Sequence, residues 1–239
     1  MKKLFCVFVS LVMCVFSFNF TVMAESNQGI SVSAKACILI EAKTGRVIFS
    51  KNANTKLSVA STTKIMTTLL CLESGGLDEQ FVVDSEAIKI EGSTMGLTEG
   101  DIVTKRALCY GMLLPSGNDA ANSTAIKIGG TYENFARLMN ERAKEIGMTR
   151  TSFVTPSGLE AAGSGSSAAD MALLTREALR NPEFREICSQ KSAKLSFGNP
   201  PYERWLTNTN KLLGMYSGVI GVKTGFTDEA GRCLISACE

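Results

Sequence analysis

The 239-residue chain contains no histidine. Histidine is the usual general base near neutral pH, so its absence excludes every Ser-His-Asp and Cys-His arrangement. A reactive hydroxyl here must be activated by lysine, a carboxylate or tyrosine. No imidazole is available for a zinc site and no pair of cysteines has zinc-ligand spacing, so no metal and no other cofactor is expected.

An excess of charge of either sign is also lacking. The first 24 residues carry two lysines and no acid, and without them 23 basic residues face 23 acidic ones. Clustered Lys and Arg are absent, so no nucleic-acid partner is expected. A long apolar run occurs only at the start, in "MKKLFCVFVSLVMCVFSFNFTVMA", which closes on the small-residue pattern Val22-Met23-Ala24. Residues 1–24 read as a secretory signal peptide, with an uncleaved membrane anchor as the alternative. Either reading places residues 25–239 outside the cytoplasmic membrane. With 45% apolar and 20% charged residues, the chain can bury one substantial core or two smaller ones. Six cysteines follow the signal segment (Cys37, Cys71, Cys109, Cys188, Cys233 and Cys238), at irregular spacing and mostly inside apolar runs. They read as small buried hydrophobes, with disulfides as the alternative.

"ACILIEAKTGRVIFSKN" reads as a hairpin turning at Lys43-Thr44-Gly45. From Ser61 the pattern becomes helical: "STTKIMTTLLCLE" stops at Gly75-Gly76, and "TKRALCYGMLL" stops at Pro115. "TYENFARLMNERAKEIGM" sets Phe135, Leu138, Met139, Ala143 and Ile146 along one helical face. A Gly/Ser-rich loop leads to a helix that Asp170 begins and Asn181-Pro182 ends. "SGVIGVKTGFT" and "AGRCLISACE" return to strand composition around a turn from Gly225 to Gly231. The expected architecture is α/β, with an antiparallel sheet drawn from both chain ends and a helical lobe at about 61–182 inserted between them.

Within "VASTTKIMTTLLC", Lys64 follows Ser61 by three residues. On a helix those positions share a face, so the amine reaches the hydroxyl. Ile65, Met66, Leu69, Leu70 and Leu72 surround the helix with apolar side chains, which predicts burial. Burial disfavours the ammonium and makes a neutral lysine competent as a base for serine. Ser61 in the first turn also lies near unpartnered backbone N–H groups that can stabilise an oxyanion. Alone, the pair has a plainer reading, in which Ser61 caps a helix and Lys64 snorkels to water.

Two further segments change the weighting. "MLLPSGNDAAN" places Ser116 and Asn118 on a loop between helices, and "GVKTGFT" places Lys223-Thr224-Gly225 at a strand end. Ser-x-x-Lys, Ser-x-Asn and Lys-Thr-Gly, in that order on helix, loop and strand, form the signature of penicillin-binding proteins and class A β-lactamases. With "GSTMGLTEGD", "TPSGLE", "SSAADMALL" and "GVKTGFTDEAGRCLI" in the same order, nearly all of the chain after residue 24 resembles the serine-type D-alanyl-D-alanine carboxypeptidases.

The resemblance implies a β-lactamase/transpeptidase-like fold over 25–239 and a peptidoglycan stem peptide ending in D-Ala-D-Ala as substrate, with β-lactams as inhibitors. It makes Ser61 the nucleophile and Lys64 its base. Ser116 and Asn118 become the relay and substrate-holding pair, and Lys223, Thr224, Gly225 and Phe226 the substrate-binding strand. The Ser61 and Phe226 backbone N–H groups become the oxyanion hole. Ser164-Gly165 stands where the family commonly has His-Tyr, and a glycine separates Ser116 from Asn118 as in the carboxypeptidases. The family pattern continues past Glu239 with a strand, a carboxylate-binding arginine and a C-terminal helix. The expectation is therefore a C-terminally truncated domain with an incomplete sheet, and peripheral membrane association only through the missing segment. Two rivals remain: a class A β-lactamase, for which Glu160 is the one candidate water-activating carboxylate, and a wall-binding homologue without hydrolysis.

Overall fold

A helix buried over most of its length, α1 (Lys64–Glu73), lies in the core of residues 34–239. The computed structural model describes residues 29–239, so the signal-peptide segment lies outside the described residues. Residues 34–239 form one compact unit. Ile65, Met66, Thr67, Thr68 and Cys71 are wholly buried. Around α1 pack α2 (Lys105–Leu113), α3 (Asn118–Gly129), α4 (Tyr132–Ile146), α5 (Ala168–Ala178) and α6 (Pro182–Ser189). A short helix buried nearly all round is stable only in such surroundings. Each buried Leu, Ile or Met contributes ~1.5–3 kcal/mol.

Side-chain caps set the helix starts. The hydroxyls of Thr104, Thr131 and Ser167 accept from the third residue of α2, α4 and α5 respectively. α5 therefore begins at its Ser167 cap and not at Asp170, whose buried carboxylate instead accepts from Arg150 N and Thr151 Oγ1, both at 2.7 Å. Asn181-Pro182 does more than end a helix. Asn181 Oδ1 accepts from Glu183 N and Phe184 N, and Pro182 opens α6, where a missing N–H costs nothing. On α4 the amphipathic pattern holds, with Phe135, Met139 and Ala143 buried and Leu138 and Ile146 partly so. From its outer face Arg142 reaches Glu73 and Glu177, at 2.7 and 2.9 Å, and ties α4 to α1 and α5.

The strands form four antiparallel pairs: β1 (Cys37–Ile40) with β2 (Val47–Lys51), β3 (Gln80–Val82) with β4 (Ile102–Thr104), β5 (Ser192–Gly198) with β6 (Pro201–Thr207), and β7 (Val219–Thr227) with β8 (Gly231–Cys238). The mixed α/β class is the one read from the sequence. Among the described residues, however, no ladder joins the hairpins from the two chain ends. The β3–β4 and β5–β6 pairs went unread, because three-residue strands and the polar outer face of β6 carry little periodic signal. Gly225 is a mid-strand residue opposite Cys233, and the turn is confined to residues 228–230. α6 packs on β7, and the turn that precedes α1 packs on both β7 and β8. The site is assembled at that junction. Cys71, Cys109 and Cys188 are buried, Cys37 and Cys233 half-buried and Cys238 exposed, all as free thiols.

Candidate active site

Ser61 sits in a single 3-10 turn, Ala60–Thr63, that feeds directly into α1. Three residues per turn bring positions i and i+3 into register. Lys64 Nζ accordingly stands 2.9 Å from Ser61 Oγ. Ala60, immediately before the serine, has φ +47°, a left-handed conformation that L-residues other than Asn and Asp rarely adopt. Gly158 closes over this turn with φ +80°. A Cβ there would lie 2.0 Å from the Ala60 carbonyl oxygen, so only glycine fits.

Lys64 is fully buried, whereas Ser61 keeps partial access to solvent. The amine has three oxygen neighbours: Ser61 Oγ at 2.9 Å, Asn118 Oδ1 at 2.7 Å and the Ser157 carbonyl at 2.8 Å. Burial drives its pKa well below the ordinary lysine value, the nearby Lys223 charge lowers it further, and Asp119 opposes the shift. Thr67 anchors the same loop one turn further along α1, donating to the Pro156 carbonyl at 2.6 Å.

Asn118 is the first residue of α3, and its amide has a fixed orientation. Nδ2 donates to the Glu91 carbonyl at 2.7 Å, which leaves Oδ1 for Lys64. Ser116, two residues earlier, is buried with φ +67°. Among the described residues no side-chain hydrogen bond links it to Ser61 or Lys64. Asp119 fixes the segment that covers this loop. Its carboxylate accepts from the Met95, Gly96, Leu97 and Ala120 N–H groups at 2.9–3.0 Å and from the Thr94 hydroxyl.

From the opposite side comes β7. Lys223 is buried, donates to the Thr224 carbonyl at 2.8 Å, and has its pKa pulled down to about 7 by burial. Gly225 brings the strand against the Ser61 turn. A Cβ on it would stand 3.0 Å from Ser61 N and 3.1 Å from Thr62 N, and the missing side chain leaves room in front of those N–H groups. The Thr224 hydroxyl pairs with Thr209 Oγ1 at 2.6 Å and not with Ser61 or Lys64. Phe226, next along the strand, is 61% exposed. Glu160 is exposed and lines a crevice beside Ala60 and Thr63, where Oε1 accepts from Glu229 N at 3.1 Å.

Thus Ser61, Lys64 and Asn118 form one hydrogen-bonded group, with the buried Lys223 and the bare backbone of Gly225 closing on it. Sequence reasoning missed Ser157 and Glu91, which act through carbonyls and have no side-chain signature. It also missed Asp119, although it adjoins the Ser-x-Asn motif, and Thr209.

The profile of the D-alanyl-D-alanine carboxypeptidase family, Peptidase S11, matches residues 21–239, and the chain belongs to that family. It is 39% identical over 213 residues to the D-alanyl-D-alanine carboxypeptidase DacF of Bacillus subtilis, covering 86% of this chain and 54% of that protein. It is 36% identical over 206 residues to DacB2 of Mycobacterium tuberculosis, covering 85% of this chain and 70% of that one. The chain thus spans about half the length of DacF and more of DacB2. The crystal structure of the Streptomyces K15 DD-transpeptidase superposes with a TM-score of 0.83 at 31% identity, over 88% of this chain and 86% of that one.

Proposed function

We propose that this chain is a serine-type D-Ala-D-Ala carboxypeptidase that removes the terminal D-alanine from peptidoglycan stem pentapeptides through an acyl-enzyme on Ser61. We place it outside the cytoplasmic membrane, where such peptides occur, and expect β-lactams to acylate the same serine.

One observation carries the reading. Two of the three oxygens around Lys64 Nζ, Asn118 Oδ1 and the Ser157 carbonyl, can only accept. A neutral amine has two N–H donors and one lone pair. With both donors engaged by those acceptors, the lone pair faces the third neighbour, Ser61 Oγ. The same three oxygens would accept from an ammonium, so it is burial, with the Lys223 charge beside it, that supports the neutral amine, and the geometry then aims its lone pair at the serine proton.

In the proposed cycle Ser61 Oγ bonds to the carbonyl carbon between the two D-alanines while its proton passes to Lys64. The Ser61 and Phe226 N–H groups receive the oxyanion. The peptide C–N bond breaks, and the proton held on Lys64 returns to the departing amine, with Ser116 as relay. Lys223 and Thr224 hold the terminal carboxylate, and Asn118 and the β7 backbone hold the peptide. Water then cleaves the Ser61 ester and regenerates the hydroxyl. A β-lactam follows the same first step, but its amine stays tethered and the ester persists.

Incubation of the full chain with a fluorescent penicillin, beside Ser61→Ala, tests this. The expected result is covalent labelling of the parent only, with D-alanine release from a stem-peptide analogue. Labelling without release identifies a silent wall-binding homologue, and fast cephalosporin turnover without release a β-lactamase. Absence of Ser61-dependent labelling overturns the proposal.

A further inference from the structure

Thr209 is the apex of a turn that has no part in the three sequence motifs, yet its hydroxyl lies 2.6 Å from that of Thr224. The turn is firmly built. Asn208 Nδ2 donates to the Cys188 and Gln190 carbonyls at 3.2 and 3.0 Å, and Asn208 Oδ1 accepts from Asn210 N at 2.9 Å. Thr209 N donates to the Leu114 carbonyl at 3.1 Å, two residues before Ser116. The main chain thus holds Thr209 between the Ser116 loop and β7, and its side chain is left for Thr224 alone.

Resting on the carboxypeptidase reading, we propose that Thr209 is a positioning residue that orients the Thr224 hydroxyl toward the terminal carboxylate shared by the peptide substrate and β-lactams. Two hydroxyls in contact hold two protons, one of which lies between them while the other is free. An anion arriving at Thr224 selects the arrangement in which Thr209 donates, because the Thr224 proton then faces the anion. The bridging bond polarises Thr224 and strengthens that second bond. A bond from a hydroxyl to a carboxylate is stronger than one between neutral groups. Thr224 is half-buried and Thr209 exposed, so both are open to a ligand entering from solvent.

The test compares a fluorescent penicillin bearing its free carboxylate with its methyl ester, on the full chain, Thr209→Val and Thr209→Ser. Valine keeps the shape and the backbone bond to Leu114 but removes the hydroxyl. Thr209→Val should slow acylation by the acid about two- to tenfold, the size expected for losing one hydrogen bond between neutral hydroxyls, and shrink the acid-to-ester preference by a similar factor. Thr209→Ser should restore both. Equal slowing of acid and ester, or no restoration by serine, would mean a structural role and overturn the inference. So would an unchanged acid rate. If the parent labels through Ser61 while the Thr209→Val preference is unmoved, only this inference fails. If the parent does not label, the carboxypeptidase reading fails and this inference with it.

Discussion

Asn118 presents its carbonyl oxygen to Lys64 at 2.7 Å because its amide nitrogen is held by the Glu91 carbonyl on the other side. The orientation is set by the covering segment and not by the lysine. Replacement of Asn118 by aspartate puts an anion where a neutral acceptor stood. A carboxylate at that distance stabilises the ammonium by roughly 1–3 pH units. Asn118→Asp should slow penicillin acylation at pH 7 by about ten- to a thousandfold and move the acidic limb of the rate profile upward by the same interval. Stopped-flow labelling across pH 5–10 measures both, and an unmoved limb contradicts the assignment of Lys64 as base.

The two buried lysines should split the pH dependence. The reaction needs Lys64 neutral and Lys223 charged. Lys64 lies well below the ordinary lysine value, whereas Lys223 titrates near 7 in the free protein. The second-order acylation constant for a carboxylate-bearing ligand should therefore fall as pH rises through about 7. The methyl ester should lack that alkaline limb.

The same depressed values govern stability. Unfolded lysines keep their protons to near 10.5, so from about 7 upward the unfolded chain binds more protons than the native one. Stability should rise with pH between about 7 and 9. Above 9 the buried Cys188 opposes it, since burial pushes that thiol up to about 12 while the unfolded thiol ionises first. Denaturant titrations at pH 7, 8 and 9 should show the rise in the parent and a flatter curve in Lys223→Met.

Asp119 has two roles with opposite signs. It holds the backbone of 95–97 and also favours the Lys64 ammonium. Asp119→Asn should cost about 2–4 kcal/mol by setting an amide against N–H donors. It should also shift the acidic limb of acylation to lower pH, by removal of an opposing charge. A stability loss with the limb displaced upward contradicts the electrostatic part.

Gly158→Ala adds a Cβ 2.0 Å from the Ala60 carbonyl at a residue with φ +80°. The expected cost is about 1–3 kcal/mol, with acylation slowed because the turn carrying Ser61 must move. Wild-type labelling rates would show that the Ala60 conformation is not needed.

How much of this was legible in the sequence follows from the kind of signal each feature leaves. α1, α2 and α4 were readable because helical periodicity, glycine and proline mark them, and Ser61, Lys64 and Asn118 because spacing and order are sequence properties. The start of α5 was misplaced because Ser167 and Asp170 both suit a helix start, and only the hydrogen bond from Asp170 N to Ser167 Oγ separates cap from third residue. The Ser157 and Glu91 carbonyls were invisible, since any residue supplies one. Gly225 reads as a turn in isolation. It lies within a strand by its pairing with Cys233, and the absent side chain makes room for a distant turn, the one bearing Ser61.

The central claim is that Lys64 is a neutral amine beside Ser61. The direct measurement is the pH titration of its ζ-nitrogen or ε-carbon by NMR in lysine-labelled protein, assigned by the resonance lost in Lys64→Arg. The expected result is the chemical shift of a neutral amine at pH 7.5, changing to that of an ammonium only under more acidic conditions. An ammonium shift that persists to pH 9 would contradict it.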